Sequence, residues 1–176
     1  MFLNIIKQIG IFIMIVIIQL FLLNNIVIGS RFAYLFQPQL IVMYLLFMPI
    51  GISQIKMTIS AFIAGIMFDL FFNSWGIHAF VATFIGFTRY YVTAGIENTI
   101  SARDEDRQVW TSKKSQSWKW TYFLSFIFIY HFLFIMIETL GRNFFTAVLP
   151  SVLISSLSVF VIILILENLL FRPSKN

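Results

Sequence analysis

The chain has 176 residues, 60% of them hydrophobic and only 11% charged, with a formal net charge of +5. A soluble domain carries about 25% charged residues to wrap its core in a solvated shell; this chain cannot build that shell, so its outer surface must face lipid. The absence of cysteine excludes a disulfide framework, a thiolate nucleophile and a Cys-ligated metal.

The length fits one domain, a single transmembrane unit over 1–176. Lys7 and Arg31 bracket a charge-free run that predicts a first helix near 9–28. It is too long for a secretory leader, and no small-x-small cleavage pattern follows Asn24-Asn25. Arg31 and Lys56 bracket the next run, which predicts a helix near 35–50 with Pro38 and Pro49 close to its ends, where a missing N–H costs least. Between Lys56 and Arg89 the only charge is Asp69, and Asn73-Ser74-Trp75-Gly76 supplies a turn, so two shorter helices are expected near 57–72 and 76–92. About 16 residues give only about 24 Å of helix, which leaves open a re-entrant hairpin in place of two full crossings.

A long loop follows over 97–119. Its sequence Arg103-Asp104-Glu105-Asp106-Arg107 is mixed in charge, and Lys113, Lys114, Trp118, Lys119 and Trp120 suit the headgroup region. It reads as a solvated connector with an interfacial anchor. Two further runs, bracketed by Lys119, Glu138, Arg142 and Glu167, predict helices near 121–140 and 146–166. A span needs about 20 largely apolar residues, and inside a bilayer helices satisfy their own backbone. The solid apolar runs lack the period-2 alternation of a β-barrel. The fold class expected is therefore an all-α integral membrane protein with six transmembrane helices.

Basic residues set the orientation. With six spans, Lys7, Lys56, Arg89, Arg103, Arg107, Lys113, Lys114, Lys119, Arg172 and Lys175 share one side, and Arg31 and Arg142 lie on the other. Both termini are thus expected in the cytoplasm. The positive charge is assigned to this bias, and nucleic acid is not an expected partner.

Asp69 is the most informative residue, because a carboxylate on a membrane helix costs about 3 kcal/mol at mid-membrane and less near the ends. The expected topology gathers it with His78, Glu138, Arg142, Arg31 and Asn24-Asn25 toward the outer face. Such a cluster could be a proton relay, a ligand site, a partner socket or a hydrogen-bond network that locks packing. The i, i+4 spacing of Glu138 and Arg142 suggests a structural pair; for Asp69 a functional role is preferred. Ala61-x3-Gly65, Ala82-x3-Gly86 and Ala147-x3-Ser151-x3-Ser155 are small-xxx-small patterns that let helices approach closely. His131 reads as a polar bundle contact rather than a metal ligand. No catalytic or phosphate-binding motif occurs, so neither an enzyme nor a cofactor is expected.

The stretch Gly65-Ile66-Met67-Phe68-Asp69-Leu70-Phe71-Phe72-Asn73-Ser74-Trp75-Gly76-Ile77-His78-Ala79 resembles the signature of the rod shape-determining protein MreD family. Asn24-Asn25 at the end of the first helix, Gln37-Pro38 before the second and the basic loop ahead of the last two helices fit the same layout. The resemblance marks Gly65, Asp69, Leu70, Gly76 and His78 as family-pattern positions for partner binding or packing. It implies a non-enzymatic, multi-pass subunit of the bacterial inner membrane that serves the cell-elongation machinery. Such a subunit would bind the single-span protein MreC. Through it, MreB filaments would be linked to a RodA-type glycosyltransferase and its transpeptidase in peptidoglycan synthesis. It also implies a fold similar to the substrate-binding subunits of energy-coupling-factor vitamin transporters. That similarity supplies an alternative function, a small-molecule uptake subunit. Those subunits couple through small residues on their first helix, and 11–28 contains no Gly, Ala or Ser. Membrane lipid is an expected partner, and self-association as a homodimer is left open.

Overall fold

A computed structural model of the chain describes residues 2–21, 35–96 and 115–170. Asn24-Asn25, Arg31 and most of the long loop lie outside the described residues, which contain six α-helices and no strand. These are α1 (Phe2–Phe21), α2 (Ile41–Leu46), α3 (Gln54–Phe72), α4 (Ile77–Ile96), α5 (Gln116–Glu138) and α6 (Leu149–Leu170), the last entered through a π-helical turn at Phe144–Val148. Three helical stretches are long and apolar enough to cross a membrane: Gln54–Phe72, Gln116–Glu138 and Phe144–Ile165. Exposed Ile59, Phe62, Phe84, Leu153 and Leu157 give the bundle an apolar exterior, as lipid requires.

Helices α3 and α4, at 19 and 20 residues, reach about 28 and 30 Å at 1.5 Å per residue. Both exceed the lengths expected from the sequence and match the hydrocarbon thickness. Contacts between His78 and Tyr130, and between Arg89 and Tyr122, set α4 antiparallel to α5. The ends of α3 and α5 and the start of α4 therefore share one end of the bundle, termed here the far end.

Helix α5 begins at Gln116, earlier than expected, because Ser115 caps it by accepting from the Trp118 N–H at 3.3 Å. Trp118 and Lys119 are consequently buried helix residues rather than loop anchors. Trp118 stacks on Tyr122, with centroids 5.3 Å apart.

The second predicted element differs most. The run over 35–50 is helical only at Ile41–Leu46. Pro38 has no N–H to give and pushes Gln37 out of the helical region, and Pro49 stops the helix at its other end. What remains helical is the centre of the molecule: Ile41, Val42, Met43, Leu45 and Leu46 are all fully buried. A helix apolar all round belongs inside a bundle.

The broken backbone around Pro38 is satisfied by three buried side chains from three helices. Gln19 on α1 donates its amide N–H to the Pro38 carbonyl at 2.8 Å and accepts the Leu40 N–H at 2.9 Å. His131 Nε2 on α5 accepts the Gln39 N–H at 3.1 Å, while its Nδ1 lies 2.8 Å from the Ile127 carbonyl. An amide N–H only donates and a carbonyl only accepts, so this imidazole is neutral with its proton on Nδ1. Ser155 Oγ on α6 accepts the Gln37 N–H at 2.9 Å and donates to the Leu35 carbonyl at 3.5 Å.

Each backbone group stranded in such a site costs about 1–3 kcal/mol. Gln19→Leu strands two and His131→Phe one, so thermal unfolding in detergent should rank Gln19→Leu as the less stable. Melting of both variants at the wild-type temperature would show that the break is held by something else.

Candidate functional site

The far end is built around a short turn. Helix α3 finishes with Asn73 in the left-handed conformation (φ 53°), and the Ser74 N–H returns to the Asp69 carbonyl at 3.3 Å, the bond that closes a Schellman C-cap. Trp75 and Gly76 also have positive φ, 54° and 88°, and Gly76 meets this demand without steric cost.

The first turn of α4 offers N–H groups with no intrahelical acceptor. Gly76 has no side chain to cap them, and Asp69, one turn before the end of α3, does so instead. Its Oδ1 accepts the His78 N–H at 3.0 Å and the Ser74 hydroxyl at 2.5 Å, and its Oδ2 accepts the Ala79 N–H at 2.8 Å. A negative group at the positive end of a helix is electrostatically favoured. The carboxylate thus meets the backbone of His78 and not its ring.

The His78 ring turns inward and is buried. Its Nδ1 lies 2.8 Å from the Tyr130 hydroxyl, and the ring stacks on Phe134 with centroids 4.6 Å apart. Tyr130 is a site residue that the sequence does not single out, since one aromatic in a Phe-rich helix gives no signal.

Gly65 lies under this turn. A Cβ there would overlap Ala79 Cα and sit 2.7 Å from the Ala79 nitrogen and 2.8 Å from the His78 carbonyl oxygen. At the other end of the hairpin, a Cβ on Gly86 would come within 2.8 Å of the Ala61 Cβ. Ala61 and Ala82 are fully buried, so the two small-residue patterns of α3 and α4 form one seam. Of the third pattern, Ser151 and Ser155 are buried on α6, and Ser155 serves the Pro38 break rather than Asp69.

Leu70 does not pack: it is 76% exposed, beside exposed Phe71 and a Trp75 that is 92% exposed. Leu70 and Trp75, with Ile66, form the apolar rim of a shallow cleft that reaches Asp69. An apolar groove continues from it along the outside of the α3–α4 hairpin, lined by Phe62, Ile66, Phe80, Thr83, Phe84 and Phe87.

The expected Glu138–Arg142 pair does not form on a helix. Helix α5 stops at Glu138, and Leu140, Gly141 and Asn143 all take positive φ (52°, 67° and 54°). The Gly141 N–H bonds to the Met136 carbonyl at 2.9 Å, a second Schellman cap, so the i, i+4 geometry ends before Arg142. The side chain of Gln37 lies near Glu138 instead.

Each Asp69 oxygen accepts a backbone N–H, which cannot reverse, so Asp69→Asn must strand one of the two, at about 1–3 kcal/mol, and Asp69→Leu strands both. Unfolding in detergent should rank wild type above Asn above Leu; equal stability of all three would remove the capping role. On the seam, Gly65→Ala meets backbone and should cost about 1–3 kcal/mol. Gly86→Ala should cost less, and Gly10→Ala, which meets nothing within 4 Å, should be close to neutral. Gly65→Leu should pull the helices apart. An unchanged melting temperature for Gly65→Leu would show that the seam does not hold the hairpin.

The family model for the rod shape-determining protein MreD matches residues 5–102. That is a little over half of the chain, and it includes α3, α4 and the whole Asp69 turn. No curated protein and no solved structure matches, so the alternative of an uptake subunit gains no support. The family is one of shape-determining structural membrane proteins, not a known enzyme family. This chain therefore belongs to the rod shape-determining protein MreD family, and its role is in determining cell shape from within a membrane.

Proposed function

We propose that the chain is a non-enzymatic scaffold subunit of the cell-elongation complex in the bacterial inner membrane. In this reading both termini are cytoplasmic and the far end faces outward. The subunit binds an MreC-like single-span partner and so connects MreB filaments to a RodA-type glycosyltransferase and its transpeptidase.

One observation carries the reading. At the far end the polar groups are turned inward and spent on capping a helix, while Leu70, Phe71 and Trp75 are turned outward. An exposed apolar patch joined to a lipid-level groove suits a partner that crosses the membrane and continues beyond it. Transmembrane helices associate by close packing, and Gly76 and Ala79 in the lining of the groove allow a close approach. The charge-free, small-residue-free stretch of the first helix argues against coupling to a transporter.

Photocrosslinkers at Trp75 and Phe84 should trap a single-span partner in growing cells, and one at Leu157 on α6 should not. Adducts from Leu157 alone would place the partner elsewhere. Asp69→Leu should still insert yet lose partner co-purification and rod shape; normal cell shape in that variant would contradict the proposal. Cysteine labelling should find Ser112 and Lys175 in the cytoplasm and Arg142 outside. Labelling of position 112 from the periplasm would invert the orientation, because parity ties the loops together.

A further inference from the structure

Arg89 lies at the end of the bundle opposite Asp69, and the sequence places it at a membrane boundary with the other cytoplasmic cations. In the structure α4 continues past it to Ile96 and the residue is only 3% exposed. Its Nε donates to the Tyr122 hydroxyl, its Nη2 to the Met48 carbonyl at 2.8 Å and its Nη1 to Met57 Sδ at 3.3 Å. The guanidinium also lies over the Tyr122 ring, 5.7 Å from its centroid.

All of these partners are neutral. A guanidinium remains protonated in proteins, and a buried charge without a counter-charge is strongly disfavoured. The two carboxylates whose side chains are described, Asp69 and Glu138, both lie at the far end. Of the five N–H donors on the group, three have partners among the described residues, which leaves two.

Depth narrows the ligand. Arg89 touches the first turn of α3 through Met57, the first turns of α5 through Tyr122, and the segment after α2 through Met48. Three helix ends at one level mark the boundary between hydrocarbon and headgroups. A small cleft opens beside the guanidinium, walled by Ile50, Gln54, Met57, Gly86, Tyr90 and Thr93. Tyr90 is exposed, as is Lys56 on the same first turn of α3.

We propose that Arg89 and this cleft bind the phosphate of an anionic phospholipid headgroup, with Lys56 at the rim. A phosphate takes two N–H bonds from one guanidinium and supplies the negative charge that no partner among the described residues provides. The guanidinium is weakly hydrated and suited to such a boundary, and the acyl chains would lie along exposed Tyr90 and Tyr91. The site is independent of the partner surface proposed above, and the binding test does not depend on orientation.

The test is thermal unfolding of the purified full chain in detergent. Added phosphatidylglycerol should raise the melting temperature by about 5 °C, while phosphatidylcholine and inorganic phosphate should not. Arg89→Gln, which can still hydrogen-bond to Tyr122 and Met48, should lose the gain. Should that variant fail to fold, Gln54→Glu places a carboxylate at the cleft, leaves the guanidinium contacts in place and should also abolish the gain. An equal response to phosphatidylcholine, or one that survives both substitutions, overturns the site. A response to inorganic phosphate of the same size overturns the lipid as its source. If wild type is unresponsive and becomes responsive only when Asp104, Glu105 and Asp106 are replaced by their amides, the chain's own loop supplies the counter-charge and the proposal fails.

Discussion

Pro38 withholds an N–H from the second membrane segment, and the non-helical backbone around it must be satisfied where there is no water. Irregular backbone is tolerated at membrane depth only where it is buried in protein. Gln19, His131 and Ser155 bury and satisfy it, and the requirement propagates outward. Helices α1, α5 and α6 must each rotate one polar side chain to the same spot. That fixes three helix faces at once, leaving α2 as an apolar post at the centre. A fully satisfied buried network specifies one arrangement, because every alternative strands a donor or acceptor. Apolar packing alone discriminates poorly among helix rotations here, since Phe, Ile and Leu cover all sides of these helices. Residues outside a helix also gain reach: the four over 36–39 can span up to about 14 Å, against about 6 Å in a helix. A segment with only six helical residues therefore still traverses much of the bundle.

Asp69 is a second case of backbone satisfied by a side chain, and its magnitudes explain how a carboxylate persists in an apolar hairpin. The cost of about 3 kcal/mol applies at mid-membrane and falls toward the ends, where Asp69 sits. Against it stand three hydrogen bonds to a charged acceptor, each contributing about 1.5–3 kcal/mol. These bonds offset the cost of placing the side chain there. Its contribution to function then runs through geometry. The cap holds a tight turn in which Trp75 is left-handed and almost wholly exposed, a conformation that costs a bulky residue about 1–2 kcal/mol.

The parts of this fold that were legible in the sequence follow from local rules. Runs without charge pointed to α1, α5 and α6, the turn in the stretch around Asp69 pointed to α3 and α4, Ala61, Gly65, Ala82 and Gly86 to the seam, and Asp69 stood out because nothing else in its stretch is charged. The break at Pro38 did not show, because hydropathy is blind to whether an apolar run is helical. A proline near a helix end also reads as tolerated. The side chains that repair the break come from positions 19, 131 and 155, far from it in sequence, where periodicity carries no information. The burial of Arg89 did not show for a related reason. A charge marks the end of an apolar run, yet Tyr122, Met48 and Met57 draw this one inside. For Glu138 and Arg142 the signal was present in Gly141, a residue suited to a helix C-cap, and the i, i+4 spacing outweighed it.

The hairpin joins the two ends of the molecule mechanically. In lipid, helices gain little from excluding water and are held by close van der Waals contact and hydrogen bonds. Gly65 brings α3 against the backbone of Ala79 at one end, and Gly86 brings α4 against Ala61 and the backbone at Met57 and Thr58 at the other. Sliding one helix past the other would drive side chains into the spaces that only glycine leaves open. Tilting them apart would break the Asp69 bonds at the turn. The pair is thus constrained at both ends, and α4 carries the capped turn at its start and Arg89 near its finish. Interactions of the kind proposed at the Trp75 rim and at the Arg89 cleft would therefore act on one and the same helix.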